Sequence, residues 1–169
     1  MLHKISKNKD VILINTLFLT LGIGLYYWSD RIEVFAATIA TGISLSIAFM
    51  QSKIQDDRMF QELFTDFNKK YDTEFRNQLD DIVEKHENNT VKISDDDEEL
   101  IIRYFNLCAE EYLWRRKYRI PDEVWKAWEN GMVYYFNVPI INSILIKQKG
   151  QFDSYYGLFT HLKNKVDNL

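Results

Sequence analysis

A single cysteine, Cys108, denies this chain an internal disulfide, and its place in an apolar run predicts a reduced, buried thiol suited to a cytoplasmic domain. The three histidines, His3, His86 and His161, are scattered, so with one cysteine beside them no structural zinc site is spelled out. Catalytic signatures are missing as well: there is no P-loop, no GxGxxG, no GxSxG and no HExxH. Repeats, low-complexity tracts and strand-like alternation are also absent. A net charge of -4 gives no global reason to expect nucleic acid, so any anion-binding surface must be local. The chain therefore reads as a non-enzyme, with no cofactor and no metal.

Charge itself is missing from two long stretches, residues 11–28 and 34–50. At about 1.5 Å per residue each makes a helix of roughly 25 to 27 Å, close to the hydrocarbon core of a bilayer. The segment between them, 29–33, is short and polar and holds Asp30, Arg31 and Glu33. Since lipid offers no partner to a bare backbone, the pattern predicts an antiparallel transmembrane hairpin over residues 1–50, with a cytoplasmic helical domain over 51–169. Two buried helices of a soluble all-α domain are the competing reading. Tyr26, Tyr27 and Trp28 close the first run where an interfacial aromatic belt belongs. A cleavable signal peptide fits poorly, because a second apolar run follows at once without a small-residue cleavage site.

Orientation follows from Lys4, Lys7 and Lys9 before the first run and Lys53 and Arg58 after the second, against Arg31 alone in the connection. Both termini are expected in the cytoplasm, at a bacterial inner membrane, where the Asn88-Asn89-Thr90 sequon has no meaning. Small residues recur as Thr16, Thr20 and Gly24 in the first run and as Ala36, Ala40, Ser44 and Ala48 in the second. Such stripes let helices approach closely, either inside one hairpin or between copies. Asn15 is the strongly polar side chain of the first run, and at that depth it suggests a partner helix or a water-filled path. A homo-oligomer is therefore expected, and a pore would need several copies.

Beyond the hairpin, Ile54, Phe60, Leu63, Phe64, Phe67, Tyr71, Phe75, Leu79 and Ile82 step by three and four, predicting a helix over 52–86 able to continue from the second run. Ser94 followed by Asp97 predicts the next helix start, with an acidic first turn favoured by the dipole. That acidic run lacks calcium-loop spacing and reads as a solvated helix end. Farther along, Asn106, Glu110 and Glu111 sit among apolar neighbours and are expected to be buried polar groups bonded to an adjacent helix. A hydrolytic role for Glu110 or Glu111 would require an open cleft. Trp114, Arg115, Arg116, Lys117, Tyr118 and Arg119 form the densest basic stretch, with aromatics placed to stack a nucleotide or oligonucleotide whose phosphates the cations hold. A charged helix end or contact with lipid headgroups explains the same residues. Pro121 opens a further helix, in which Trp125, Trp128, Met132 and Tyr135 read as core, and a last helix is expected over 152–165.

Three segments, FQELFTDFNKKYD, LIIRYFNLCAEEYLWRRKYRIP and EVWKAWENGMVYYF, together resemble a family of small bacterial two-pass membrane proteins. In layout the chain is also similar to membrane effectors of anti-phage systems such as Hailong and retron systems. That similarity implies an ion channel or membrane-disrupting effector, controlled by a nucleotidyltransferase or other defence-system partner and by a nucleotide signal. A non-conducting membrane scaffold that recruits a cytoplasmic protein is the alternative.

Overall fold

The computed structural model describes residues 9–88 and 93–167, and every regular element among them is helical. The elements are α1 (Lys9–Ser29), α2 (Ile32–Lys70), a π-helical turn (Tyr71–Phe75), α3 (Arg76–Asn88), α4 (Asp95–Arg116), α5 (Asp122–Phe136), α6 (Pro139–Lys147), a 3-10 segment (Gln148–Tyr155) and α7 (Leu158–Leu162). Lys4, Lys7, His3 and the sequon residues Asn89 and Thr90 lie outside the described residues. The chain divides into two compact units at Arg58–Met59.

In the first unit α1 and α2 pack antiparallel. Gly22 faces Phe35 and Ile39, while nearer the open end Gly42 faces Phe18, and at that end Lys53 reaches Asp10 at 2.9 Å. The connection is tighter than the polar segment 29–33 suggests, because only Asp30 and Arg31 stay outside the helices. Asp30 makes the turn with a φ of 52° and donates its backbone N–H to the Tyr26 carbonyl, a left-handed helix ending that aspartate tolerates. The buried positions of the pair are Gly22, Gly42 and Ser46. Large apolar side chains point the other way: Leu13 is 70% exposed and Trp28 86%. Both helices are long and apolar enough to cross a membrane, at mean hydropathies of 1.7 and 1.8, and only 6% and 11% of those windows is buried.

Contact inside the pair does not run through the small-residue stripes. Thr16, Thr20 and Gly24 are exposed on α1, as are Ala36, Ala40, Ser44 and Ala48 on α2. Glycine matters instead at position 42, where an added Cβ would stand 2.5 Å from the Phe18 Cβ and 2.8 Å from its Cγ. Gly42→Leu should therefore force the helices apart. Spin labels at positions 10 and 53, narrowly distributed in the parent, should report a longer and broader distance in the variant.

The second unit is organised by aromatic rings. Phe75, Phe105, Phe136 and Phe159 are fully buried, and Phe105 meets Phe136, Phe159 and Tyr155 at centroid distances of 5.3, 5.7 and 6.4 Å in edge-to-face contacts. Helix α4 begins as its sequence requires, with the Ser94 hydroxyl accepting the Asp97 N–H at 3.1 Å. Pro121 caps α5 in extended geometry, and Cys108 is a buried free thiol. The expected last helix over 152–165 is a correction. A 3-10 segment replaces its start, Tyr156 and Gly157 turn the chain with φ of 53° and 84°, and only Leu158–Leu162 is α-helical. Two consecutive left-handed residues cannot lie inside an α-helix, and glycine makes the second one cheap.

Candidate functional site

Helix α4 sorts the three polar residues expected to be buried. Glu111 follows Tyr104 by seven residues and Cys108 by three, which places it on their face, and it is only 7% exposed. Asn106 and Glu110 fall two and six positions after Tyr104, on the opposite face, and both are exposed. The expectation of buried hydrogen bonds at Asn106 and Glu110 is thereby corrected. Glu111 is buried as expected of it, but no hydrogen bond among the described residues reaches its carboxyl.

The Glu111 carboxyl instead lines a partly open cavity of about 150 Å³. Asn68 and Tyr71 contribute from the end of α2 and the π-helical turn, Tyr104 from α4, and Trp128 and Gly131 from α5. All three segments singled out in the sequence thus meet at one place. The walls are fixed from behind: Trp128 stacks on Phe64 at 6.0 Å and meets the edge of Phe67 at 5.8 Å. Tyr71 is tied by its hydroxyl to Tyr135 at 3.3 Å, and Tyr135 donates to Asp80 at 2.6 Å. Gly131 leaves the space open, because a Cβ built there meets nothing within 4 Å. The π-helical turn that positions Tyr71 is the rare geometry of the domain, and such turns concentrate at functional sites.

Burial pushes the Glu111 carboxyl from its ordinary value of 4.5 up to about 8, with a smaller push from the neighbouring Glu110 charge. At neutral pH it is chiefly a neutral acid. Burial and the Glu111 charge also raise the Cys108 thiol, and burial raises the Tyr104 phenol. The cavity lining holds no second carboxyl and no histidine, so the pair of groups that hydrolysis by Glu111 would need is not assembled there.

The basic stretch forms a different feature, an open groove of about 590 Å³ reached by Arg115, Arg116 and Tyr118. Its floor is the His161 ring, 5.0 Å from Tyr112 and 6.0 Å from Trp125. Glu129 lies in the same groove, bonded to His161 at 2.6 Å and Lys165 at 2.7 Å. Burial drives this carboxyl up, but those two partners outweigh it and leave it below the usual range. Most of the cations have structural duties: Arg115 pairs with Asp122, Arg116 donates to the Tyr156 carbonyl at 2.9 Å, and Lys117 sits 4.8 Å over the Trp114 ring. Arg119 is half-buried. Arginines anchoring loop backbone, beside a carboxylate, make a weaker phosphate cradle than six consecutive basic and aromatic residues suggest.

The cavity escaped detection in the sequence because its residues come from three segments and only one of them is charged. The sole local signal was a glutamate in register with an apolar face. No protein-family model matches the chain, and neither does any curated protein or solved structure.

Proposed function

We propose that the protein is a two-pass inner-membrane effector with both termini in the cytoplasm, homo-oligomeric through its hairpins and governed by what its helical domain binds. The observation that carries this reading is the inverted surface of α1 and α2, which bury glycine and serine between them and turn leucine, isoleucine and tryptophan outward. Exposed to water, such a surface costs about 25 cal/mol for every Å²; lipid accepts it and in return demands the closed backbone bonding of helices. Lys9, Lys53 and Arg58 lie toward the open end, against Arg31 at the connection, which favours the cytoplasm for that end. Both small-residue stripes face outward, where a second hairpin can approach closely.

In the layout that the chain resembles, the output is a ligand- or partner-gated channel or a membrane-disrupting protein of an anti-phage defence system. A nucleotidyltransferase or other defence-system protein is the proposed partner, and a nucleotide or oligonucleotide is the signal proposed for the groove beside Arg115 and Arg116. One observation favours the non-conducting scaffold instead. Asn15, Thr16, Thr20, Thr38, Thr41 and Ser44 all donate to carbonyls of the preceding turn, at 2.8 to 3.1 Å, so these groups find partners without a water-filled path. Reconstitution in liposomes separates the two. For an effector, the protein with its partner or signal should release trapped ions, and Asn15→Leu should lower that release at least tenfold. Tight vesicles under every condition would leave the scaffold.

A further inference from the structure

The Glu111 cavity poses a chemical question that the membrane reading does not answer. A carboxyl buried to this degree ordinarily bonds to a neighbouring donor, because an unpaired polar group in a low-dielectric interior is costly. Here no such bond is made among the described residues, and the group lines an accessible space walled by Tyr71, Tyr104 and Trp128. The lining contains no lysine or arginine, which argues against an anion. A divalent metal wants several oxygen ligands, and no cluster of three or more candidate ligands occurs among the described residues. A neutral apolar guest would leave the acid unsatisfied. A group that carries positive charge on a small apolar body fits this lining, attracted both by a carboxylate and by the negative faces of aromatic rings.

We propose that this cavity binds a small organic cation, an alkylammonium or quaternary ammonium group of about five to seven non-hydrogen atoms, through the Glu111 carboxylate and the surrounding aromatic rings. The proposal stands apart from the membrane reading, since all of the lining lies between Asn68 and Met132 in the second unit. Size follows from the cavity of about 150 Å³, with one solvent-sized molecule taking about 30 Å³. Binding carries a proton with it. Glu111 must ionise to pair with the guest, so the proton released for each cation bound approaches one at pH 7 and below. The titratable groups facing Glu111 are Tyr104 and Cys108 of its own helix and Tyr71 across the cavity, while the exposed Glu110 acts on it only as the charge next in the chain. Burial keeps Tyr104 and Cys108 neutral through that range.

The test is calorimetric titration of the full chain in maltoside micelles with tetramethylammonium, with choline and its neutral isostere 3,3-dimethyl-1-butanol as a matched pair. At pH 8.5 both cations should bind saturably at one site per chain and the alcohol should not. Lowering the pH to 6 should weaken the cations roughly 50- to 100-fold, as the carboxylate is titrated away. Glu111→Gln should weaken them at least tenfold. Gly131→Leu, whose side chain enters open space from a helix that leucine favours, should abolish binding while the thermal melt stays at or above that of the parent. The proposal is overturned by absence of saturable binding at pH 8.5, by equal binding of the alcohol, or by undiminished binding in either variant.

Discussion

Glu111→Gln should stabilise the helical domain by about 2–4 kcal/mol at pH 9 and change it little at pH 5. The folded carboxyl titrates near 8 and the unfolded one near its ordinary 4.5, so between those values the folded state holds a proton that the unfolded state has released. Stability contributed by the neutral acid is whole below pH 4.5 and drains away as the pH rises through 8. Glutamine has the same shape and never ionises, so its curve should stay flat where that of the parent falls. Denaturant midpoints of both proteins at half-unit intervals from pH 5 to 9 check this. Parallel curves would mean that Glu111 ionises as easily folded as unfolded. The effect is large because the carboxyl is 7% exposed and lacks a bonding partner among the described residues, leaving burial to set its value.

Phe105→Ala should cost the domain about 3–5 kcal/mol, near the limit of what a domain of ordinary stability survives. Its ring is fully buried and makes edge-to-face contacts with rings from α5, the 3-10 segment and α7. Removing it leaves a hole among rigid neighbours that cannot close around it, so the loss combines transfer free energy with an unfilled cavity. Thermal unfolding followed at 222 nm should show the transition lowered by well over 10 °C, or absent at 37 °C. A shift of only a few degrees would show that this cluster does not hold the domain. Phe64→Ala offers contrast, because Phe64 is 40% exposed and the same change there should cost much less.

How much of this was legible in the sequence depended on range. Local chemistry was read well: the Ser94 cap, the opening at Pro121 and the two apolar helices with a polar break need only neighbouring residues. Features set by packing were not. The stripes of small residues were visible, but which face of each helix meets the other was decided by Gly22 and Gly42, where bulk across the interface is Phe35, Ile39 and Phe18. Counting from Tyr104 distinguishes Glu111 from Asn106 and Glu110, yet only the packed α5 shows that Glu111 borders a space and lacks a donor. The basic stretch shows the opposite failure. Six residues in a row suggested one ligand surface, and the fold diverts Arg115 to Asp122 and Arg116 to the Tyr156 carbonyl. The left-handed pair Tyr156 and Gly157 was hidden because the apolar spacing continues across it.

The reading of the whole chain depends on α1 and α2 lying in a bilayer with their connection outside the cytoplasm, and thiol accessibility in intact cells tests that most directly. Cys108 is buried and serves as a silent background. Asp30→Cys, at the turn between the helices, should react with a membrane-impermeant maleimide in intact cells, and Lys53→Cys should react only after lysis. Labelling of both sites only after lysis, with the protein recovered from the soluble fraction, would contradict the account.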